Sequence, residues 1–501
     1  MLLAYIKKIS HLSSGFHSLR LISFLLFALT FLAFLLSDLA IHSASPLYEF
    51  SLMAQGFLNP QTISFDTLLP ALYATLAFAF QGVMVAAVLG FLLSLLFRYF
   101  YIRVFAAFIR SIHELFWALL FIQITGLTPL TGFIAILIPF TGIFAKVFSE
   151  ILDEVDKKPE LSLNPQIKTF SLFLYTRVAL AWPQMKGYLL YRLECGIRSS
   201  AILGFVGLPT LGFELESYFK QGFYAEAATL LYVFFILIAS LKYLVKIPML
   251  PIYTLAAFIY LPPIADISWP LISEFFKHEI VPTSLQEGNI PAFFNWLNML
   301  WQTQIMDGLV NTLALSQLAL ALTGLISLLI FPFSSKLFAG KITRTVSQSS
   351  LIIMRSSPEY LLAFIGLLIL GPSMLPAILA LAIHNSAVIA HLVALQSQTL
   401  CFREDASKGI NLYFFETLPR LYGSFLALLF YRWEVIVRET AILGMLGIPT
   451  LGFYIDSAFE EIRFDRAILL ILVTAFLNIL IDNIAVLLRK QMHFKQQPLS
   501  F

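Results

Sequence analysis

Apolar residues run through this chain in blocks of about twenty, broken by short polar stretches that hold most of its Lys and Arg. A helix of that length crosses about 30 Å of hydrocarbon. The first block spans Ile22–Ala40, and Leu69–Phe97 follows after a polar stretch without Lys or Arg. Ser111–Thr125 and Pro129–Phe148 form a pair with a tight turn at Gly126–Pro129, then come Leu172–Val206 and Tyr224–Tyr243. The plan repeats with Ile247–Ile267, Leu309–Phe333, Leu351–Leu370, Leu375–Leu395, Leu418–Leu446 and Ala467–Leu488. The pattern predicts an all-α integral membrane protein of about 12 transmembrane helices, as two six-helix halves over residues 1–245 and 246–501.

Composition supports that class. Hydrophobic residues make up 59% of the chain and charged ones 12%, against roughly 25% charged in soluble domains. A net charge of +3 is too small to argue for nucleic acid. Basic residues cluster at Arg98/Arg103/Arg110, Lys242/Lys246, Lys336/Lys341/Arg344, Arg403/Lys408 and Arg489/Lys490/Lys495, whereas Ser268–Asp307 carries only Lys277. The positive-inside rule then puts both termini in the cytoplasm. Both halves enter and leave on one side, so the repeats are parallel. The first span lacks a small-residue cleavage site and reads as retained rather than as a removed signal peptide. Cys195 falls in an apolar run and Cys401 in a basic loop, so no disulfide is expected.

Two stretches carry the strongest internal signal. Tyr191–Phe213 and Tyr431–Phe453, at an offset of 240, agree at 14 of 23 positions, where unrelated segments would share about two. The agreement includes Arg192, Glu194 and Arg198 with Arg432, Glu434 and Arg438. Four residues apart on a helix, Glu194 and Arg198 share a face and can pair, as can Glu434 and Arg438. Ionisable side chains inside an apolar run are costly unless they meet a partner or water. Gly204, Gly207, Pro209 and Gly212 follow in the first copy, and Gly444, Gly447, Pro449 and Gly452 in the second. Such a segment cannot continue a regular helix. Broken backbone at membrane depth survives only where protein buries it or water reaches it. Each copy therefore reads as a charged helix opening into an irregular gate.

A second repeat agrees. Arg110-Ser-Ile-His-Glu114 matches Arg355-Ser-Ser-Pro-Glu359, and Gly126 matches Gly371 at the same offset of 245. These Arg–Glu pairs read as anchors that snorkel to the cytoplasmic interface. His384, in an apolar run, reads as a hydrogen-bonded core histidine, with no set of metal ligands beside it. No phosphate-binding loop and no catalytic constellation occurs, so neither ATP hydrolysis nor another enzymatic activity is expected of the chain.

Tyr-Arg-x-Glu-x-x-x-Arg followed by Ala-Ile-Leu-Gly-x-x-Gly, with the upstream Arg-Ser-x-x-Glu and Gly turn, resembles the membrane subunit of phosphonate-type ABC importers. The usual subunit resembles one half, so two copies look fused here. The resemblance implies the type I importer permease fold and a bacterial inner-membrane location. It also implies a separate cytoplasmic ATPase dimer, a periplasmic or lipid-anchored binding protein, no cofactor, and a small phosphonate- or phosphate-like anion as cargo. It further implies ATPase-docking loops between the fourth and fifth spans. The second half offers Glu404, Ala406 and Gly409 for that loop; the first offers Glu160 but no matching Gly. Arg198 and Arg438 are candidates for contact with the translocating anion. Alternatively, Glu194 and Glu434 neutralise them and the pairs lock helices together. Two rival readings are a 6+6 secondary transporter and a fused ABC permease for ferric ion or another oxyanion.

Overall fold

The computed structural model describes residues 2–156, 158–161, 169–403 and 405–491, with side chains described from residue 19 to 489 apart from 157, 160–169, 242 and 404. The described residues form helices joined by irregular stretches, without strands. In chain order α1 is Leu2–Leu36, α2 Pro46–Leu58, α3 Phe65–Leu95 and α4 Phe100–Ser111. Next come α5 (Glu114–Thr125), α6 (Pro129–Glu154), α7 (Ala179–Ile202), α8 (Leu211–Lys220) and α9 (Tyr224–Leu244). The same sequence of elements then recurs. It comprises α10 (Leu250–Tyr260), α11 (Ile290–Leu300), α12 (Met306–Ser334), α13 (Lys341–Ser356) and α14 (Glu359–Leu370). The last four are α15 (Met374–Ser397), α16 (Leu418–Leu443), α17 (Leu451–Glu460) and α18 (Phe464–Gln491).

Among the described residues, 7 helices are long and apolar enough to cross a membrane, and up to 11 if each bent pair counts as one span. The shorter apolar helix Ile247–Tyr260 stands where the seventh of the expected crossings begins. Its continuation to Ile267 is not helical, because Pro262 and Pro263 have no N–H to carry the ladder on.

Two expected crossings are not straight helices. α4 and α5 meet at 88°, and α13 and α14 at 91°. The expected Ser111–Thr125 and Leu351–Leu370 spans therefore each take in a sharp corner. In the second half the cause is Pro358, which pushes the preceding Ser357 out of the helical region. In the first half Ile112 and His113 are extended, and His113 Nδ1 accepts the Leu115 N–H at 3.2 Å to cap α5. At 12 residues α5 is about 18 Å long, too short to cross alone.

The chain packs as two compact units, one of Met1–Leu52 with Phe276–Gln496 and the other of Met53–Phe275. The packing boundary thus differs from the sequence boundary at 245/246. α1 packs with the second set of helices, and α10 with the first. A buried glutamine explains each attachment. Gln81 on α3 donates through Nε2 to the carbonyls of Ala257 at 2.8 Å and Leu261 at 2.6 Å, at the end of α10. Gln317 on α12 reaches Thr30 Oγ1 at 3.2 Å and Leu26 O at 3.4 Å on α1. Ala257 O already accepts the Leu261 N–H, whereas the Leu261 carbonyl lies past the last turn of α10, so Gln81 gives it a partner the short helix does not.

In the second unit described, small residues set the register. Gly82 of α3 lies against Ile136, Gly90 against Phe144 and Ala145, and Gly132 against Phe78, so α3 and α6 run parallel and close. Gly196 meets Val83, and Ser200 Oγ donates to Thr75 O at 2.8 Å, so α7 runs antiparallel to α3.

Candidate functional site

The repeated glycines build the same broken element in both units. α7 tightens into a 3-10 turn over Leu203–Val206, and Gly207 then takes a left-handed conformation at φ +92°. Gly444–Leu446 tightens α16 likewise, and Gly447 sits at φ +85°. An L-residue rarely adopts that conformation. The chain then resumes as α8 or α17, at 50° and 44° to the helix before.

Gly204 and Gly444 serve a different need. A Cβ on Gly204 would lie 2.1 Å from Phe213 N, and one on Gly444 2.2 Å from Phe453 N. On Gly212 it would lie 1.8 Å from Ala201 O. The chain therefore folds back on itself with backbone against backbone. Gly452 occupies the matching place in the second copy and is buried. Pro209 and Pro449 are exposed, each beside a fully buried threonine, Thr210 or Thr450.

A threonine from a neighbouring helix closes each element. Thr75 Oγ1 accepts the Leu211 N–H at 2.9 Å, and Thr312 Oγ1 accepts the Leu451 N–H at 3.1 Å. Both hydroxyls satisfy a first-turn N–H that has no partner inside α8 or α17. Asn311 Nδ2 adds a bond to Pro449 O at 2.8 Å. The motif reading missed these threonines. Their signal is a Thr-Leu-Ala shared by 75–77 and 312–314.

Arg198, Glu194, Arg438 and Glu434 all fall in the last turns of α7 and α16 leading to the broken elements, and all four are half-buried. The expected Glu194–Arg198 ion pair does not form among the described residues. Arg198 Nη2 instead donates to Cys195 Sγ at 3.4 Å. The snorkelling reading of Arg110/Glu114 and Arg355/Glu359 fails for the carboxylates, since Glu114 and Glu359 are buried at the corners of the broken spans. Glu114 accepts a hydrogen bond from Ser199 Oγ, which ties α5 to α7 beside Arg198. Glu359 Oε1 lies 2.8 Å from His384 Nε2, so His384 is the buried, hydrogen-bonded histidine that its surroundings predict.

Of the docking-loop residues, Glu404 and the side chain of Glu160 lie outside the described residues. Ala406 and Gly409 sit on an irregular stretch before α16, with Gly409 exposed at φ +65°.

Against known proteins, the phosphate-import permease protein PhnE of Mycolicibacterium smegmatis is 22% identical over 423 residues, covering 78% of this chain and 77% of that protein. The phosphite transport system permease protein PtxC of Stutzerimonas stutzeri is 29% identical over 126 residues. These curated relatives are permease proteins of phosphate import or phosphite transport. The PtxC alignment takes in 25% of this chain but 46% of the relative, and the HtxE permease of the same organism gives 27% and 52% at 29% identity. The chain thus spans about half the length of these two shorter relatives, while its match to the long one is nearly even. No family model matches. A crystal structure of an amino acid ABC transporter with histidines aligns at a TM-score of 0.33 and 20% identity, over 39% of this chain and 97% of its own.

Proposed function

We propose that the chain is the membrane-spanning subunit of a bacterial ABC importer in the inner membrane, with both termini cytoplasmic. Its two halves, 1–245 and 246–501, form one pathway for a small phosphate-, phosphite- or phosphonate-like anion. A periplasmic or lipid-anchored binding protein delivers the anion, and a separate ATPase dimer drives the cycle by docking on the loops around Glu160 and Glu404–Gly409. The observation that carries this reading is the duplicated gate, in which a glycine-built break follows Arg198 in one half and Arg438 in the other. A cation held near broken backbone suits an anionic cargo.

The test is uptake of labelled phosphate, phosphite and methylphosphonate by cells lacking their own importers for these anions. The chain is expressed with the ATPase and binding protein from its own operon. Uptake that requires ATP hydrolysis and survives collapse of the ion gradients supports the reading. Uptake lost with the gradients but indifferent to the ATPase would make the chain a secondary transporter.

A further inference from the structure

The corners of the two broken spans solve one problem with different residues. In register, His113 corresponds to Pro358, and Pro139 to His384. Histidine and proline have changed places between the bend and the neighbouring helix α6 or α15. Even so, an imidazole faces the same repeated carboxylate in both units. His113 Nε2 lies 3.5 Å from Glu114 Oε2, and His384 Nε2 lies 2.8 Å from Glu359 Oε1.

The other ring nitrogen fixes how many protons each site holds. His113 Nδ1 accepts the Leu115 N–H, so Nδ1 carries a lone pair and the ring is neutral with its proton on Nε2. Glu114 accepts a hydrogen bond from Ser199 Oγ, and the protonated His113 Nε2 faces its other oxygen at 3.5 Å. His384 is the reverse case. Its Nδ1 lies 3.0 Å from the Ser357 carbonyl oxygen, which can only accept, so Nδ1 carries a proton. Nε2 and Glu359 Oε1 at 2.8 Å would then oppose two lone pairs unless one further proton lies between them.

We propose that the two corners differ by one proton. The second holds a proton shared by His384 and Glu359, and His384 is the positioning residue that fixes the gate-side helix α14 against α15. The imidazole grips both sides of the break, at Ser357 before Pro358 and at Glu359 after it. In the first unit the tie runs instead from Glu114 to Ser199 on the gate helix α7, where the second copy has Glu439.

Two measurements test this. The first is solid-state NMR of the full transporter with 15N-labelled histidine, assigned with His113→Gln and His384→Gln. The expected result is a neutral ring at His113, protonated on Nε2 alone, and a ring at His384 with Nδ1 protonated and Nε2 in a strong hydrogen bond. Equal protonation of the two rings, or an Nε2 of His384 without such a bond, overturns the proposal. This measurement does not depend on the import reading.

The uptake arm rests on that reading. Glu359→Gln keeps a donor for Nε2, so uptake should stay within about twofold of the parent. His384→Ala should lower uptake by about tenfold or more, and it takes the imidazole away from a buried carboxylate. Combining His384→Ala with Glu359→Gln removes the buried charge as well, so thermal stability should return while uptake does not. Full recovery of uptake in the double variant would reduce the pair to charge burial and end the positioning role. A parent without any anion uptake would count against the import reading while leaving the NMR result to decide the protonation.

Discussion

Thr75 Oγ1 accepts the backbone N–H of Leu211 at 2.9 Å, across 136 positions of sequence, and Thr312 does the same for Leu451. Both threonines are fully buried. A valine in place of either keeps the shape but leaves a buried N–H without its acceptor, at a cost of about 1–3 kcal/mol. Thr75→Val and Thr312→Val should each lower the thermal midpoint of the purified protein, and Thr→Ser at the same sites should restore most of the loss. Serine variants as unstable as the valine ones would mean that the methyl group, not the hydroxyl, is what these sites need.

The gate glycines are predicted to tolerate no side chain. At Gly204 and Gly444 an added Cβ meets backbone nitrogen at 2.1 and 2.2 Å, so Gly204→Ala and Gly444→Ala must shift α8 or α17. Gly187 and Gly423 lie in α7 and α16 with nothing within 4 Å of such a Cβ. Alanine there should be neutral or stabilise by up to about 1 kcal/mol through its better helix propensity. Folded yield and uptake for the four variants check this contrast. Equal behaviour of the two pairs would remove the packing argument.

Much of this architecture is legible in the sequence, for identifiable reasons. The spans show because a bilayer demands long apolar runs, and the gates show because their glycines and prolines were kept in two copies. The corners were harder. Pro358 marks one, but Ile112–His113 carries no breaker, and the apolar pattern runs straight through it. The attachment of α1 and α10 depends on Gln81 and Gln317, which bond to a carbonyl and a threonine hydroxyl more than 170 and 280 positions away. Hydropathy holds no trace of such pairings. The burial of Glu114 and Glu359 was hidden too, because an Arg–Glu spacing looks alike on a solvated helix face and at a buried corner.

Those glutamines should act as clips. Gln81→Leu removes the two bonds that close the end of α10, and interhelical hydrogen bonds in membranes average about 0.6 kcal/mol with a maximum near 1.7. The expected result is a modest fall in thermal midpoint and faster proteolysis at the irregular 261–268 stretch. Gln317→Leu should do less, since its contacts on α1 are longer, at 3.2 and 3.4 Å. A larger effect at Gln317 would indicate that its packing outweighs its hydrogen bonds.

The repeated cations Arg198 and Arg438 are proposed to attract the cargo. If Arg198 and Arg438 attract an anionic cargo, Arg→Gln at either should cut uptake by about tenfold while the protein stays folded and inserted. If each arginine only neutralises its neighbour, the single change strands Glu194 or Glu434, and stability falls with uptake. In the first copy Arg198 Nη2 donates to Cys195 Sγ at 3.4 Å. Combining Arg198→Gln with Glu194→Gln separates the cases, since it restores charge balance but not the attraction for an anion. The same pair of changes at Arg438 and Glu434 repeats the comparison in the second half. Expression, thermal midpoint and uptake are measured for each single and double variant. Uptake that stays low in the doubles while stability is normal keeps the arginines in the pathway. Uptake that returns with stability makes them packing elements of α7 and α16.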